Sequence, residues 1–307
     1  MLQQTDCVKL LPQNDSYDLQ ADPNESFLVK GIFVAPDTDD TFLTVKIDNV
    51  TVGFYRVYGK SGNHLGGIRG GYVGFNLMSY LVGLGLPFSL PVAEGQKLHL
   101  SRPDGAGHIQ ILYDRYDAGD IRADMPCGSA AKVYGFLQYL RETDVLTDSG
   151  DMLLDTAITP AEFPDFPAGK PVPAKMSIKL HGIVGCPFSD FLYEDDAYRG
   201  YYSTFLKLIR EREVLFDEDR DGILFEGRID GTTESYYIHG KTIIGSAAEF
   251  YETYVSWRGK PPLMFETPLE FGSGEELLIY LSCVNDGDRD MGENLADVAL
   301  ILEVVRE

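Results

Sequence analysis

Residues 86–116 read LPFSLPVAEGQKLHLSRPDGAGHIQILYDRY, and their pattern returns at residues 263–305, LMFETPLEFGSGEELLIYLSCVNDGDRDMGENLADVALILEVV. Leu86, Phe88 and Pro91 match Leu263, Phe265 and Pro268 at an offset of 177. Gly95 and Leu98 match Gly274 and Leu277 at an offset of 179. Each copy then has a polar loop and a last apolar run, Ile109-Ile111-Tyr113 in one and Val298-Leu300 with Ile301 in the other. The echo continues upstream in the same order. Val29-Lys30-Gly31-Ile32 resembles Leu180-His181-Gly182-Ile183 at an offset of 151, and Thr41-Phe42-Leu43 recurs as Thr204-Phe205-Leu206 at 163. Offsets that grow without reversing are what two collinear copies produce when the second has longer loops; chance matches would scatter.

Length agrees with duplication. A chain of 307 residues fits two domains of ordinary size, each able to bury its own core. The formal charge of −22 disfavours direct nucleic-acid binding, which needs a basic face. It favours solubility. Cys7, Cys127, Cys186 and Cys283 are far apart and form no CxxC pair, which argues against a zinc or redox site. The first 18 residues lack a basic start and an apolar core, so no signal peptide is expected. No apolar run reaches the roughly 20 residues a spanning helix needs.

Along the chain, residues 1–25 read as a polar, extended arm with little core of its own. Residues 27–34 read as a strand, and 42–58 as a hairpin broken at Asp48-Asn49. The glycine-rich stretch 59–74 lacks GxxxxGK[ST] and reads as a loop. Residues 72–84 read as a short helix before the repeat strand. In the second copy Ser246 and Glu249 form an S-x-x-E capping box, which predicts a helix over 247–256 at the matching place. Val133, Phe136, Leu137 and Leu140 follow an i, i+3, i+4, i+7 stripe, which predicts an amphipathic bridging helix over 129–143. Five prolines between Pro160 and Pro173 mark the linker. Strands at turn-separated intervals, with abundant Tyr, Phe and Gly, give an all-β fold class: two tandem jelly-roll β-sandwiches with short flanking helices. The division is an N-terminal arm at 1–26, a first jelly-roll at 27–125, a helical and proline-rich connector at 126–175, and a second jelly-roll at 176–307.

Few residues invite chemistry. Asp217, Asp219 and Asp221 followed by Gly222 fit the first half of a calcium loop, where alternate carboxylates converge in a tight turn. The twelfth position is Arg228 and not Glu, so this is no EF-hand, and a solvated turn competes with calcium. Asp286, Asp288 and Asp290 repeat the alternation. His99 and His181 fall in expected strands as structural histidines. No histidine stands in a hydrolase or metalloprotease motif, so neither an enzyme nor a cofactor beyond calcium is expected.

The collinear copies, the helix before each F-x-x-P strand and the proline-rich connector together resemble the double jelly-roll major capsid proteins of membrane-containing icosahedral viruses. The resemblance implies a homotrimer of pseudo-sixfold outline with upright barrels, located in the virion and made in the host cytoplasm. Its partners would be itself, other capsid proteins and an underlying membrane. It carries over no functional residue. The other reading of the same sandwiches is a binding module: a virion spike, a tail protein or a carbohydrate-binding protein.

Overall fold

The structure is a computed structural model that describes residues 1–11, 16–36, 41–57, 77–101, 107–121, 133–141, 150–157, 166–168, 170–186, 203–217, 224–229, 236–241, 263–284 and 297–306. The chain divides into two compact units, Met1–Leu137 with Glu303–Glu307, and Gln138–Leu302. Among the described residues both are built mostly of antiparallel sheet. No helix among the described residues is long and apolar enough to cross a membrane.

The first unit contains β1 (Leu2–Leu11), β2 (Ser16–Gln20), β3 (Glu25–Pro36), β4 (Thr41–Ile47), β5 (Val50–Val57), α1 (Leu77–Gly83), β6 (Leu90–Val92), β7 (Lys97–Ser101) and β8 (Gly107–Asp117). They form two four-stranded sheets, ordered β1-β8-β3-β6 and β2-β7-β4-β5. Alternation with period two gives each sheet one apolar face. Phe27, Val29, Ile109 and Ile111 are buried from one sheet, and Val45, Leu98 and Leu100 from the other. The helix α1 buries Met78 and Leu81, three apart on one face. It ends in a Schellman turn: Leu86 N–H donates to Leu81 C=O at 3.0 Å, and Gly85 N–H to Val82 C=O at 2.9 Å.

The second unit takes in the last four residues of β9 (Val133–Arg141) and the first six of β19 (Asp297–Arg306), both of which cross the division. It also holds β10 (Gly150–Leu153), β11 (Thr156–Ala157), β12 (Met176–Cys186), β13 (Ser203–Arg210), β14 (Glu213–Asp217), β15 (Leu224–Ile229), β16 (Tyr236–Lys241), β17 (Leu263–Phe271) and β18 (Leu277–Val284). Its sheets run β11-β9-β19-β12-β17 and β10-β18-β13-β14, with β15 and β16 as a separate pair. Ile178, Leu180, Leu277 and Ile279 are buried in it.

The offsets seen in sequence reappear as backbone geometry. Among the described residues, five other than glycine have positive φ: Asp6, Asn24, Asp48, Lys175 and Glu211. Four of them form two pairs, Asn24 with Lys175 at an offset of 151 and Asp48 with Glu211 at 163. Such residues are uncommon, so matched placement is a signature of common construction. The hairpins agree too. Ile47 pairs Val50 with a register shift between Val45 and Lys46; Arg210 pairs Glu213 with a shift between Leu208 and Ile209. Gly95 and Gly274, at an offset of 179, have φ of 79° and 87°.

Four expectations need correction. Residues 1–25 are not an arm with little core: β1 and β2 lie there, and Cys7, Leu11, Tyr17, Leu19 and Ala21 are buried. The polar residues interleaved along both strands hid that core in the sequence. The helix expected over 129–143 is strand β9 where described. Leu137, Gln138, Tyr139 and Leu140 are all buried, and a strand covered on both faces loses its alternation and can imitate a helical stripe. The proline stretch does not mark the division. Within it Phe166 is buried, with its ring 5.1 Å from that of Phe271, so Phe166 packs into the second unit. Finally, Pro91 is not the counterpart of Pro268. Pro91 pairs Leu28, and the matching pair in the second unit is Glu270 with Lys179. The expected helix at 247–256 and the loop at 59–74 lie outside the described residues.

Candidate functional site

Of the three carboxylates expected to hold calcium, Asp217 closes β14, its backbone paired with Lys207. Asp219 and Asp221 lie outside the described residues, as do Asp286, Asp288 and Asp290. Among the described residues no group of three or more His, Cys, Asp or Glu side chains is arranged to hold a metal ion. What the sheets do bring together are charged groups on neighbouring strands.

Lys30 is the centre of the first cluster. It sits at the register shift between Val29 and Gly31, so its side chain leaves the ladder. Its ammonium donates to Asp6 Oδ1 on β1 at 2.7 Å and to Asp114 Oδ1 on β8 at 2.8 Å. Asp6, with φ of 53°, also turns its own N–H onto Asp114 Oδ1 at 2.9 Å. Burial pulls the Lys30 ammonium down, but the bonds to Asp114 and Asp6 outweigh it, so it is held above its ordinary range. A lysine kept charged in this way ties strands together and is a poor nucleophile. Beside it Cys7 is a free, buried thiol, and burial pushes the Tyr113 phenol up.

The second cluster spans β2 and β7, where Asp18 and His99 are directly opposed. His99 Nδ1 lies 2.6 Å from Asp18 Oδ1, and Lys97 Nζ lies 3.2 Å from Asp18 Oδ2. The His99 bond holds the Asp18 carboxyl below its ordinary range, with Lys97 adding to it against some desolvation. His99 and His181 both lie in strands, as expected.

The third feature occurs twice. In the first unit Gly95 N–H donates to Ala21 C=O at 3.0 Å, and Ala21 N–H to Gln96 C=O at 3.0 Å. In the second, Gly274 N–H donates to Val172 C=O at 2.9 Å, and Val172 N–H to Glu275 C=O at 2.9 Å. Gln96 Oε1 accepts from Ala93 N–H, and Glu275 Oε2 from Gly272 N–H. Asp48 Oδ1 accepts from Lys97 N–H at 3.0 Å, and Glu211 Oε1 from Glu276 N–H at 2.9 Å. Each node therefore ties the hairpin turn to the strand that follows the positive-φ glycine. None of these partnerships was read from the sequence. The signal available was the break at Asp48-Asn49 and the recurrence of Gly95 at Gly274.

No protein-family model matches the chain, and no curated protein matches it. The functional reading therefore rests on the fold and these clusters.

Proposed function

We propose that the chain is a structural subunit of an icosahedral virus shell, made of two jelly-roll sandwiches in tandem and working through contacts with copies of itself and with other shell proteins. The observation that carries the reading is strand order. In a jelly roll, eight strands first pair as one long hairpin, one with eight, two with seven, three with six and four with five. Rolling that ribbon sets three beside eight and four beside seven. All six ladders occur in the first unit: β1·β8, β2·β7, β3·β6, β4·β5, β3·β8 and β4·β7. With β11 and the β15–β16 pair set aside, the second unit has the same order, β9-β19-β12-β17 and β10-β18-β13-β14.

Two further observations support a structural role. The charged clusters pair their carboxylates with cations or backbone donors across strands, which is how a rigid sheet is stapled. The positions of the repeat are spent on turns and bulges, features that set shape. Trimers with other capsid proteins and an underlying membrane as neighbours follow from the resemblance to double jelly-roll capsid proteins. Size-exclusion chromatography with light scattering tests the proposal. Trimers of the 34.1 kDa chain, or particles, are expected. A single 34.1 kDa species that binds a glycan would overturn it in favour of the binding module.

A further inference from the structure

The two units differ at their first strands. β1 and β9 hold the same place, at the start of the orders β1-β8-β3-β6 and β9-β19-β12-β17. β9 carries a further strand on its outer edge: Thr156 and Ala157 of β11 pair antiparallel with Arg141 and Leu140. Leu137, Gln138, Tyr139 and Leu140 are all at most 5% exposed. β1 ends its sheet, with no strand on its outer edge among the described residues. Its inward residues Cys7 and Leu11 are buried, while Val8 and Leu10 on the opposite face are 63% and 53% exposed.

We propose that the outer edge and face of β1 are a docking surface for β1 of a second copy of this chain. An open edge presents unpaired backbone donors and acceptors, which an extended segment satisfies by adding a strand. The second unit contains its own example of that solution in β11. Apolar residues on the bare strand supply what the added strand would cover. Charge selects the occupant. The chain carries −22, so two copies repel over most of their surface. β1 has one acid, Asp6, and one base, Lys9, and Asp6 is already paired with Lys30. It is a neutral strip on an acidic molecule, the place where two copies meet with least repulsion. A strongly cationic partner would gain nothing there. Antiparallel pairing of a strand with itself closes on a twofold axis, so this contact would join one proposed trimer to the next.

This inference rests on the self-assembly reading and names the surface used. The test compares the full chain with the double variant Val8→Lys/Leu10→Lys by light scattering over a concentration series. Both side chains are exposed, so the variant is expected to keep its circular dichroism and melting temperature. The concentration needed for assembly beyond the trimer should rise about tenfold or more, since two like charges would face each other across the contact. If the variant assembles like the parent, or the parent stops at the trimer, the docking surface is wrong and the self-assembly reading stands. If the parent stays a single chain at every concentration, both fail. Should the variant not fold, amide exchange on the parent decides: residues 7–11 should slow by about tenfold or more on assembly, and an unchanged rate overturns the proposal.

Discussion

The turns at residues 93–96 and 272–275 make the same backbone bonds with different side-chain chemistry. In the first, Gln96 accepts from Ala93 N–H and donates its amide to Asp48 Oδ2 at 3.1 Å. In the second, Glu275 accepts from Gly272 N–H and takes Arg210 Nη2 at 2.5 Å, with the Arg210 guanidinium also lying 5.0 Å from the Phe271 ring centre. One node is an amide relay, the other an ion pair. What is shared is the backbone conformation; what differs is the means of holding it. A fold that reuses a turn must keep the positive φ at the glycine and the strand register. It is free to exchange one acceptor for another that reaches the same N–H.

The largest test of that equivalence is in the core beneath the nodes. Leu98 and Leu277 are both fully buried at an offset of 179. Leu98→Ala and Leu277→Ala should each cost about 3 kcal/mol in denaturant unfolding, by lost burial and a residual cavity. A large cost at one and almost none at the other would break the comparison.

Next come the glycines. A Cβ at Gly95 or Gly274 meets no atom within 4 Å, so replacement by alanine is purely a matter of backbone conformation. Gly95→Ala and Gly274→Ala should each destabilise by about 1–2 kcal/mol, the cost of a side chain in the left-handed region. Unequal losses would show that the two turns are held differently.

A smaller effect separates the nodes by pH. The Gly272 N–H, and after it Arg210, hold the Glu275 carboxyl below its ordinary 4.5. Its contribution is therefore complete above 4.5 and is lost as pH falls through the depressed value. Gln96 cannot titrate. Amide exchange at Gly272, corrected for intrinsic rate, should accelerate in acid more than exchange at Ala93. Glu275→Gln should copy the first node, removing that dependence at a cost of no more than about 1 kcal/mol for a surface ion pair. Equal acid responses at Gly272 and Ala93 in the parent would contradict the assignment.

The smallest concerns Lys175, whose φ is 61° where the first unit has Asn24 at 73°. Asparagine tolerates this region better than lysine, so Lys175→Asn should stabilise the second unit by a few tenths, roughly 0.5 kcal/mol, in thermal melts. A loss of stability would mean that Lys175 makes a contact its counterpart lacks.

Much of this was legible, for identifiable reasons. The offsets 151, 163 and 179 survive in sequence because they fall on turns and on alternating core positions, where few residue types serve. The match of Pro91 to Pro268 misled because the β12·β17 ladder shifts register between Leu180 and Gly182, and an identity count cannot register a bulge. β9 was mistaken for a helix because burial on both faces erases the period that distinguishes a strand. β1 and β2 were missed because Gln3, Gln4, Asp6 and Lys9 in one, and Ser16, Asp18 and Gln20 in the other, keep their mean hydropathy low. The Lys30 cluster was not legible: Asp6, Lys30 and Asp114 are joined only by the pairing of β1, β8 and β3, with 108 residues separating the two acids.

The most direct test of a doubled jelly-roll is a density map of the chain at side-chain resolution, with the second unit superposed on the first through β3 and β12. The account predicts that residues 272–275 then fall on 93–96, and Glu211 on Asp48, in the same backbone conformation. Superposed sheets whose strand orders differ, or turns that diverge at Gly95 and Gly274, would contradict it.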